Sequence, residues 1–476
     1  MRPERCQAGT GLRIRAFPCR QSKTHPIRVA VRNALKDRND KDVTMPFEAT
    51  PPGPRRIAVI GGGISGMGAA YSLGEHHQVT LIEAEPDLGG HARTRLAGRN
   101  GDQPVDTGFI VFNRPNYPHL TKLFSDLDVP VVKSNMTFSA SLRGGAMEYG
   151  LRDIRAVFAQ RRNAFNPRFL RMIRDILRFN ARALDAANDP QQPLGDFLRG
   201  MGTGDWFRDY YLLPLSGAIW STPTEKVLDF PAHALVRFFE NHALLSHSGQ
   251  HQWYTVRGGS VEYVRRLEAA LTARRVALRT GSPVEGVRRL DAGGVEVRMR
   301  GGQWERFDEV VLATHTDVSL RLLSDASQHE RAALSKFAYQ PNRVVLHADT
   351  SLMPRRPVCW SAWNYTETDR KEMNQIDLTY WMNCLQPIPK DDPLFVTLNS
   401  TRPIREELIH DEVTLHHPVY DLNALDAQRE VAGFNGTGNT WFCGAWMRNG
   451  FHEDGLASGI AVADMIRART GAMEAA

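Results

Sequence analysis

Long apolar runs are missing. No stretch of the 476 residues approaches the roughly 20 consecutive apolar residues that cross a bilayer as a helix, so a membrane contact of this chain is expected to be peripheral. Cysteine is scarce: Cys6, Cys19, Cys359, Cys384 and Cys443 form no close pair and no metal-ligand spacing, which points to a reducing compartment and to no bound metal. Internal repeats of solenoid type are absent. Excess charge is nearly absent outside the N-terminus, because residues 1 to 44 hold eleven Lys or Arg against four acids, a net +7, which leaves the rest of the chain at −1 out of a total of +6. With Phe17 as its single aromatic, residues 1 to 53 are expected to be a disordered basic tail, or a segment upstream of a start at Met45. The basic excess of that tail gives the folded part no nucleic-acid partner. The 42% hydrophobic content that remains is enough for two or three domains with a substantial core.

The chain does have an ordered set of glycine clusters. "GGGISG" at 61 to 66 follows the apolar run Ile57 to Ile60, and Gly61, Gly63 and Gly66 allow a strand to turn tightly into a helix whose first N–H groups face a pyrophosphate. About 20 residues past the middle glycine, Glu83 ends a second apolar run, Val79 to Ile82, where a carboxylate can take ribose hydroxyls. "LGGHART" at 88 to 94 adds Gly90 for close backbone approach and Arg93 for a phosphate. No second fingerprint follows a strand, so a nicotinamide site is not expected.

The pattern changes along the chain. Residues 55 to 140 read strand, helix, strand and a Gly-rich connection; 141 to 245 turn helical, with apolar residues at helical spacing in 169 to 184 and 235 to 245. Residues 246 to 318 contain a helix and short strands ending in the buried run Val310 to Thr314; 319 to 425 alternate like an antiparallel sheet in "RVVLHAD", "LTYWMNCL" and "LFVTLN". Residues 426 to 470 return to strand, glycine loop and small-residue helix. A nucleotide domain in three parts, interrupted twice by a substrate domain, accounts for this order.

Together, the fingerprint with Glu83, "GGHART", "DTG" at 106 to 108, "VRGGSVEYV" at 256 to 264, "DEVVLAT" at 308 to 314 and "FCGAW…EDGLASGIAVAD" at 442 to 464 resemble the flavin-containing amine oxidase and phytoene desaturase superfamily. The resemblance covers most of residues 55 to 470. It implies an α/β (α+β) protein with a Rossmann-like FAD-binding domain of glutathione-reductase type, interrupted by a mixed substrate domain of antiparallel sheet and helices. It also implies bound FAD, with Gly61, Gly63, Ser65 and Gly66 at the pyrophosphate and Glu83 at the adenosine ribose. Gly90, Arg93 and Thr94 would lie near the pyrophosphate or flavin, Val284 at the adenine, and Gly444, Gly455 and Leu456 near the ribityl chain and pyrimidine ring.

The superfamily's amine oxidases hold a Lys near the flavin and an aromatic pair at the substrate nitrogen. This chain has Arg343 on the strand resembling the Lys-bearing one and His452 at the aromatic position, so neither supports an amine oxidase. His452 is the candidate proton acceptor beside a departing hydride, with Glu453 as a candidate to orient it and Arg343 as a further catalytic candidate. Trp220, Trp360 and Trp363 lie in apolar segments suited to a tunnel for a lipid tail or, equally, to core packing.

"GFHEDGLASG", "AIWSTP" and "HHPVYD" are most similar to bacterial flavoproteins that accompany cyclopropane-synthase-like methyltransferases in pathways for methylated and furan-containing fatty acids. The resemblance implies oxidation or desaturation of a methyl-branched fatty acyl chain on a phospholipid, a separate electron acceptor (oxygen, a quinone or a protein) and a methyltransferase partner. Arg168, Arg171, Arg174 and Arg178 recur every three or four residues among apolar ones, as in a helix lying in a lipid headgroup layer or a helix packed on its own domain. The expected location is cytoplasmic, peripheral on the inner face of the cytoplasmic membrane.

Overall fold

The computed structural model describes residues 53–220, 224–245, 250–368 and 377–471. The tail expected at residues 1 to 53, Met45 included, lies outside them apart from Gly53. Of the "AIWSTP" segment, residues 221–223 lie outside as well.

The run Arg56–Ile60 is the central strand of a five-stranded parallel sheet, with Gln78–Ile82 and Glu309–Leu312 on either side and Ala277–Arg279 and Thr440–Phe442 at the edges. Its four apolar side chains are buried alternately toward two different core clusters, so an unbroken apolar run is what this position requires. On one face lie the helices Ile64–Leu73, Val261–Ala273 and His452–Thr470. The first and last of these approach closely: a Cβ on Gly459 would stand 2.3 Å from the Ser65 carbonyl oxygen. The other face is covered by the antiparallel strands Val284–Arg289, Val295–Met299 and Trp304–Phe307 and by helices that include Leu422–Phe434. Strands from three separated parts of the chain thus build one sheet.

A second, seven-stranded sheet runs Ile409–Val419, Ala338–His347, Phe395–Leu398, Leu378–Trp381, Trp363–Thr366, Phe138–Leu142, Met147–Gly150. It is antiparallel except where Trp363–Thr366 pairs with Phe138–Leu142. "LTYWMNCL" does not run as one strand: after Trp381 the chain takes a helical turn, Met382–Leu385. The buried side chains Met382 and Leu385 place that turn in the sheet's core.

The helical region packs against one end of this sheet. Pro167–Ala186 is stopped at its N-terminus by Asn166, whose side chain accepts from the Arg168 and Phe169 amides, and it buries Phe169, Met172, Phe179 and Ala183. These join residues of Leu213–Trp220 and Ala232–Asn241 in one core cluster, against which Trp363, Tyr380 and Phe451 also pack. Among the described residues no helix is long and apolar enough to cross a membrane.

Candidate active site

A cavity of about 440 Å³ runs from the glycine loop to Phe451, within the usual range for cofactor and ligand sites. At one end the Gly61 amide donates to the Ile82 carbonyl (2.9 Å). Gly61 sits at φ +111°, and a Cβ there would stand 2.6 Å from the Ala313 oxygen, so the turn admits only glycine. The helix Ile64–Leu73 begins at Gly63 with no side-chain cap, and Gly63, Ile64 and Ser65 line the cavity. No heavy atom lies within 4 Å of the place a Gly63 Cβ would occupy. Glu83 accepts from the amides of Gly62 (2.5 Å) and Glu85 (2.9 Å) and also lines this end. An uncapped helix start, an open glycine cradle and a carboxylate one strand away fit the pyrophosphate and ribose of FAD.

The cavity is also lined by His452, the first residue of the helix His452–Thr470. Its ring stacks on Phe109, centroids 4.0 Å apart, and its Nε2 is 2.5 Å from the Tyr263 hydroxyl. That leaves Nδ1 as the ring nitrogen without a partner among the described residues. Burial pushes the His452 pKa down to about 3, so the imidazole is neutral at ordinary pH.

Three further histidines, His91, His315 and His417, form a wall of the cavity. His91 is 6.0 Å from His315 and 5.6 Å from His417, ring to ring, and His315 stacks on Tyr339 at 4.3 Å. Burial lowers the pKa of His91, that of His315 to about 4 and that of His417 to about 3. His91 Nε2 is buried with no protein partner, an atom that a bound cofactor can satisfy. No group of His, Cys, Asp or Glu among the described residues could hold a metal ion. The wall's histidines were missed in the sequence; "GGH", "THT" and "HHP" carry them, but nothing in their spacing joins them.

Of the residues expected from sequence, Gly61, Gly63, Ser65, Glu83, Gly90, Gly444, His452, Trp220 and Trp363 line the cavity. The others do not, for identifiable reasons. Arg93 is bound bidentately to Asp411 (2.5 and 2.9 Å), and the Thr94 hydroxyl donates to the buried Asp106 (2.6 Å). Gly66 and Gly455 serve packing, since a Cβ would meet the Gly61 oxygen at 1.8 Å and the Ser65 Oγ at 2.8 Å respectively. Leu456 is buried against Gly68, and Val284 pairs with Met299 on the antiparallel sheet.

The structure gives the two accessory catalytic candidates, Glu453 and Arg343, other partners. Glu453 does not orient His452: it accepts from the His119 and Leu120 amides (3.0 and 2.9 Å) and meets His119 Nδ1 at 2.7 Å, holding the start of the helix Pro118–Asp126. Arg343 is exposed and pairs with Glu412 through two bonds of 2.7 Å. Trp360 is also outside the wall, donating to the Pro354 carbonyl and packing edge-on to Trp381.

This architecture has known counterparts. The fold matches a CLA-producing fatty acid isomerase from P. acnes (TM-score 0.63, 16% identity, 87% of this chain and 98% of that one). It also matches cyclohexylamine oxidase from Brevibacterium oxydans (TM-score 0.62, 15% identity, 88% and 100%). In sequence, 73 residues are 42% identical to coproporphyrinogen III oxidase of Mycobacterium tuberculosis, spanning 14% of this chain and only 16% of that protein. A 42-residue stretch is 50% identical to an L-amino-acid oxidase of Sistrurus catenatus edwardsii, 9% of this chain and 8% of that protein. The model of the flavin containing amine oxidoreductases matches residues 64–382. The lining of the cavity fits FAD, the cofactor of that family, and the chain belongs to the flavin containing amine oxidoreductases.

Proposed function

We propose that the protein removes two hydrogens from an unsaturated, methyl-branched fatty acyl chain of a phospholipid, adding a double bond. The observation that carries this reading is the wall beyond the nucleotide end. Ile110, Val111, Met136, Ile219, Trp220, Trp363, Tyr380 and Phe451 surround it, and among the described lining residues the only carboxylate is Glu83, with no Lys or Arg at all. A substrate ammonium or carboxylate entering there would lose its hydration without gaining a counter-ion, whereas an alkyl chain gains from burial. The same fold carries a fatty acid isomerase, so an acyl chain is within its reach.

When bound, FAD supplies the two-electron acceptor for a hydride leaving an allylic carbon. The chain's own residues exclude water and handle the proton. In the tautomer that carries its hydrogen on Nε2, facing the Tyr263 oxygen, His452 offers Nδ1 to the proton of the adjacent carbon. Burial keeps that imidazole neutral, and the carbon next to the departing hydride has a correspondingly acidic C–H bond. The electrons then pass to oxygen, a quinone or a protein acceptor. A cyclopropane-synthase-like methyltransferase is the class of enzyme that would supply the methylated chain, and a non-catalytic role beside it is the rival from outside enzymology.

Anaerobic mixing of the purified holoenzyme with phospholipids bearing methylated acyl chains tests the reading, followed by flavin absorbance and by the mass of the extracted chains. Bleaching with loss of two hydrogens supports it. A flavin that stays oxidised with lipid, yet bleaches with a diamine or with dithionite alone, removes it in favour of an amine substrate or the partner role.

A further inference from the structure

We infer that residues 151 to 182 form a docking surface for an anionic phospholipid bilayer. This goes beyond the substrate reading, because binding to a bilayer is independent of turnover. Two unrelated distributions converge on this segment. Of the seven large apolar side chains exposed among the described residues, five fall here: Leu151, Ile154 (69% exposed), Phe165 (87%), Leu170 and Leu177 (54%). Residues 151 to 182 also carry nine Arg and no Lys against two Asp, a net +7, whereas the chain beyond residue 44 is near neutral as a whole.

The pairing of the arginines separates this surface from an ordinary solvated helix. Asp175 is buried and engages Arg171 and Arg174, and Arg152 pairs with Asp153. Arg155, Arg161, Arg168, Arg178 and Arg182 are exposed and have no ion-pair partner among the described residues. The sequence pattern of four arginines therefore identified the helix, but only Arg168 and Arg178 of those four are unpaired.

Geometry places charge beside the apolar groups. In Pro167–Ala186 the positions Leu170, Arg174 and Leu177 fall on one outward line, with Arg171 and Arg178 along its flank and Phe169, Met172 and Phe179 on the opposite, buried side. Phe165 immediately precedes this helix, and the turn Ile154–Val157 reaches it through Phe158, whose ring is 6.0 Å from that of Phe169. Exposed apolar side chains flanked by arginines, Arg178 among them unpaired, match an acyl-headgroup boundary, where apolar burial and attraction to anionic lipid act together. A protein partner would need an acidic surface with apolar pockets at this spacing. The inner face of the same helix belongs to the core cluster that Trp220, Trp363 and Phe451 extend to the cavity.

The test is co-sedimentation of the holoenzyme with vesicles of phosphatidylcholine alone and of phosphatidylcholine with phosphatidylglycerol. The expected result is binding to the anionic vesicles that weakens with salt. Replacing Arg168, Arg178 and Arg182 by Gln should weaken it about fivefold for each arginine. The double variant Phe165→Ser, Leu177→Ser should weaken the binding that persists at high salt, with flavin absorbance and melting temperature unchanged. No binding to anionic vesicles overturns the inference, as does binding that neither set of variants alters. Capture of an acidic protein by this face in the absence of vesicle binding overturns it as well. Turnover is not read, so failure of the lipid-substrate reading leaves this result standing on its own.

Discussion

The hydroxyl of Tyr263 and the Nε2 of His452 meet at 2.5 Å across elements 189 positions apart, and this bond decides which ring nitrogen is left to the cavity. Tyr263→Phe removes the partner while keeping the ring that packs edge-on to His452 and beside Phe124. An imidazole that has lost a buried partner costs about 1–3 kcal/mol or turns away. Flavin reduction by the true substrate should slow about tenfold in Tyr263→Phe and more in His452→Ala, with FAD content of both proteins near one per chain. Rapid-mixing absorbance checks this; an unchanged rate in His452→Ala would remove the ring from the chemistry.

Gly63 and Gly61 are two residues apart in one loop and should respond differently to the same methyl group. At Gly63 φ is −75° and a Cβ would meet no protein atom, so Gly63→Ala should fold with its apoprotein stability changed by about 0.5 kcal/mol or less. The added methyl occupies the cradle at the helix start, and FAD affinity should fall at least tenfold. Gly61→Ala combines a positive φ with a contact of 2.6 Å and should lower the stability of the apoprotein itself. Thermal melting of apoprotein and flavin titration separate the two effects.

The same contrast explains how much of the molecule could be read from its sequence. Local periodicity and turn chemistry mark the glycine loop, the strand before it and the arginine-rich helix, because each depends on neighbours a few residues away. The roles of Arg93, Glu453 and Arg343 were out of reach, since each is set by a partner contributed by a distant segment: Asp411, His119 with Leu120, and Glu412. A charged residue beside a motif looks free in sequence. Which ones remain free is decided by the fold, and the histidine wall arises likewise from three loops or strands that meet only in space.

The apolar wall makes the substrate reading sensitive to one charge. Met136 and Ile219 line the cavity and are partly buried, without hydrogen bonds for a substituent to replace. Met136→Lys should raise the KM for a phospholipid substrate at least tenfold, because an ammonium in that space must be desolvated by the incoming chain. Met136→Leu should leave KM within about twofold. Steady-state kinetics on both variants check it, and equal KM values would place the acyl chain elsewhere.

The histidines also set how the protein responds to acid. His91, His242, His315, His347, His417 and His452 all have pKa values lowered by burial, those of His242, His315 and His347 to about 4 and those of His417 and His452 to about 3. Between those values and the ordinary 6.5 the unfolded chain binds more protons than the native one, so their stabilisation is complete above about pH 6.5 and is lost as pH falls toward 4. Asp106 and Asp454 work in the opposite direction. Burial raises each to about 6, and protonation of the native carboxyls adds stability as pH drops from 6 toward 3.8. His77 adds to the first group and Asp377 to the second, and the histidines outnumber the carboxyls, so the melting temperature should fall on the order of 5–10 °C between pH 7 and pH 5. His347 gives a control: buried beyond the cavity wall against Thr397, it should still contribute after FAD is bound, whereas a ligand that contacts His91 and His452 changes their share. Melting curves of holo and apo forms from pH 5 to 8 should therefore fall together in sign but differ in slope, and a melting temperature that rises on acidification would show the carboxyls to dominate.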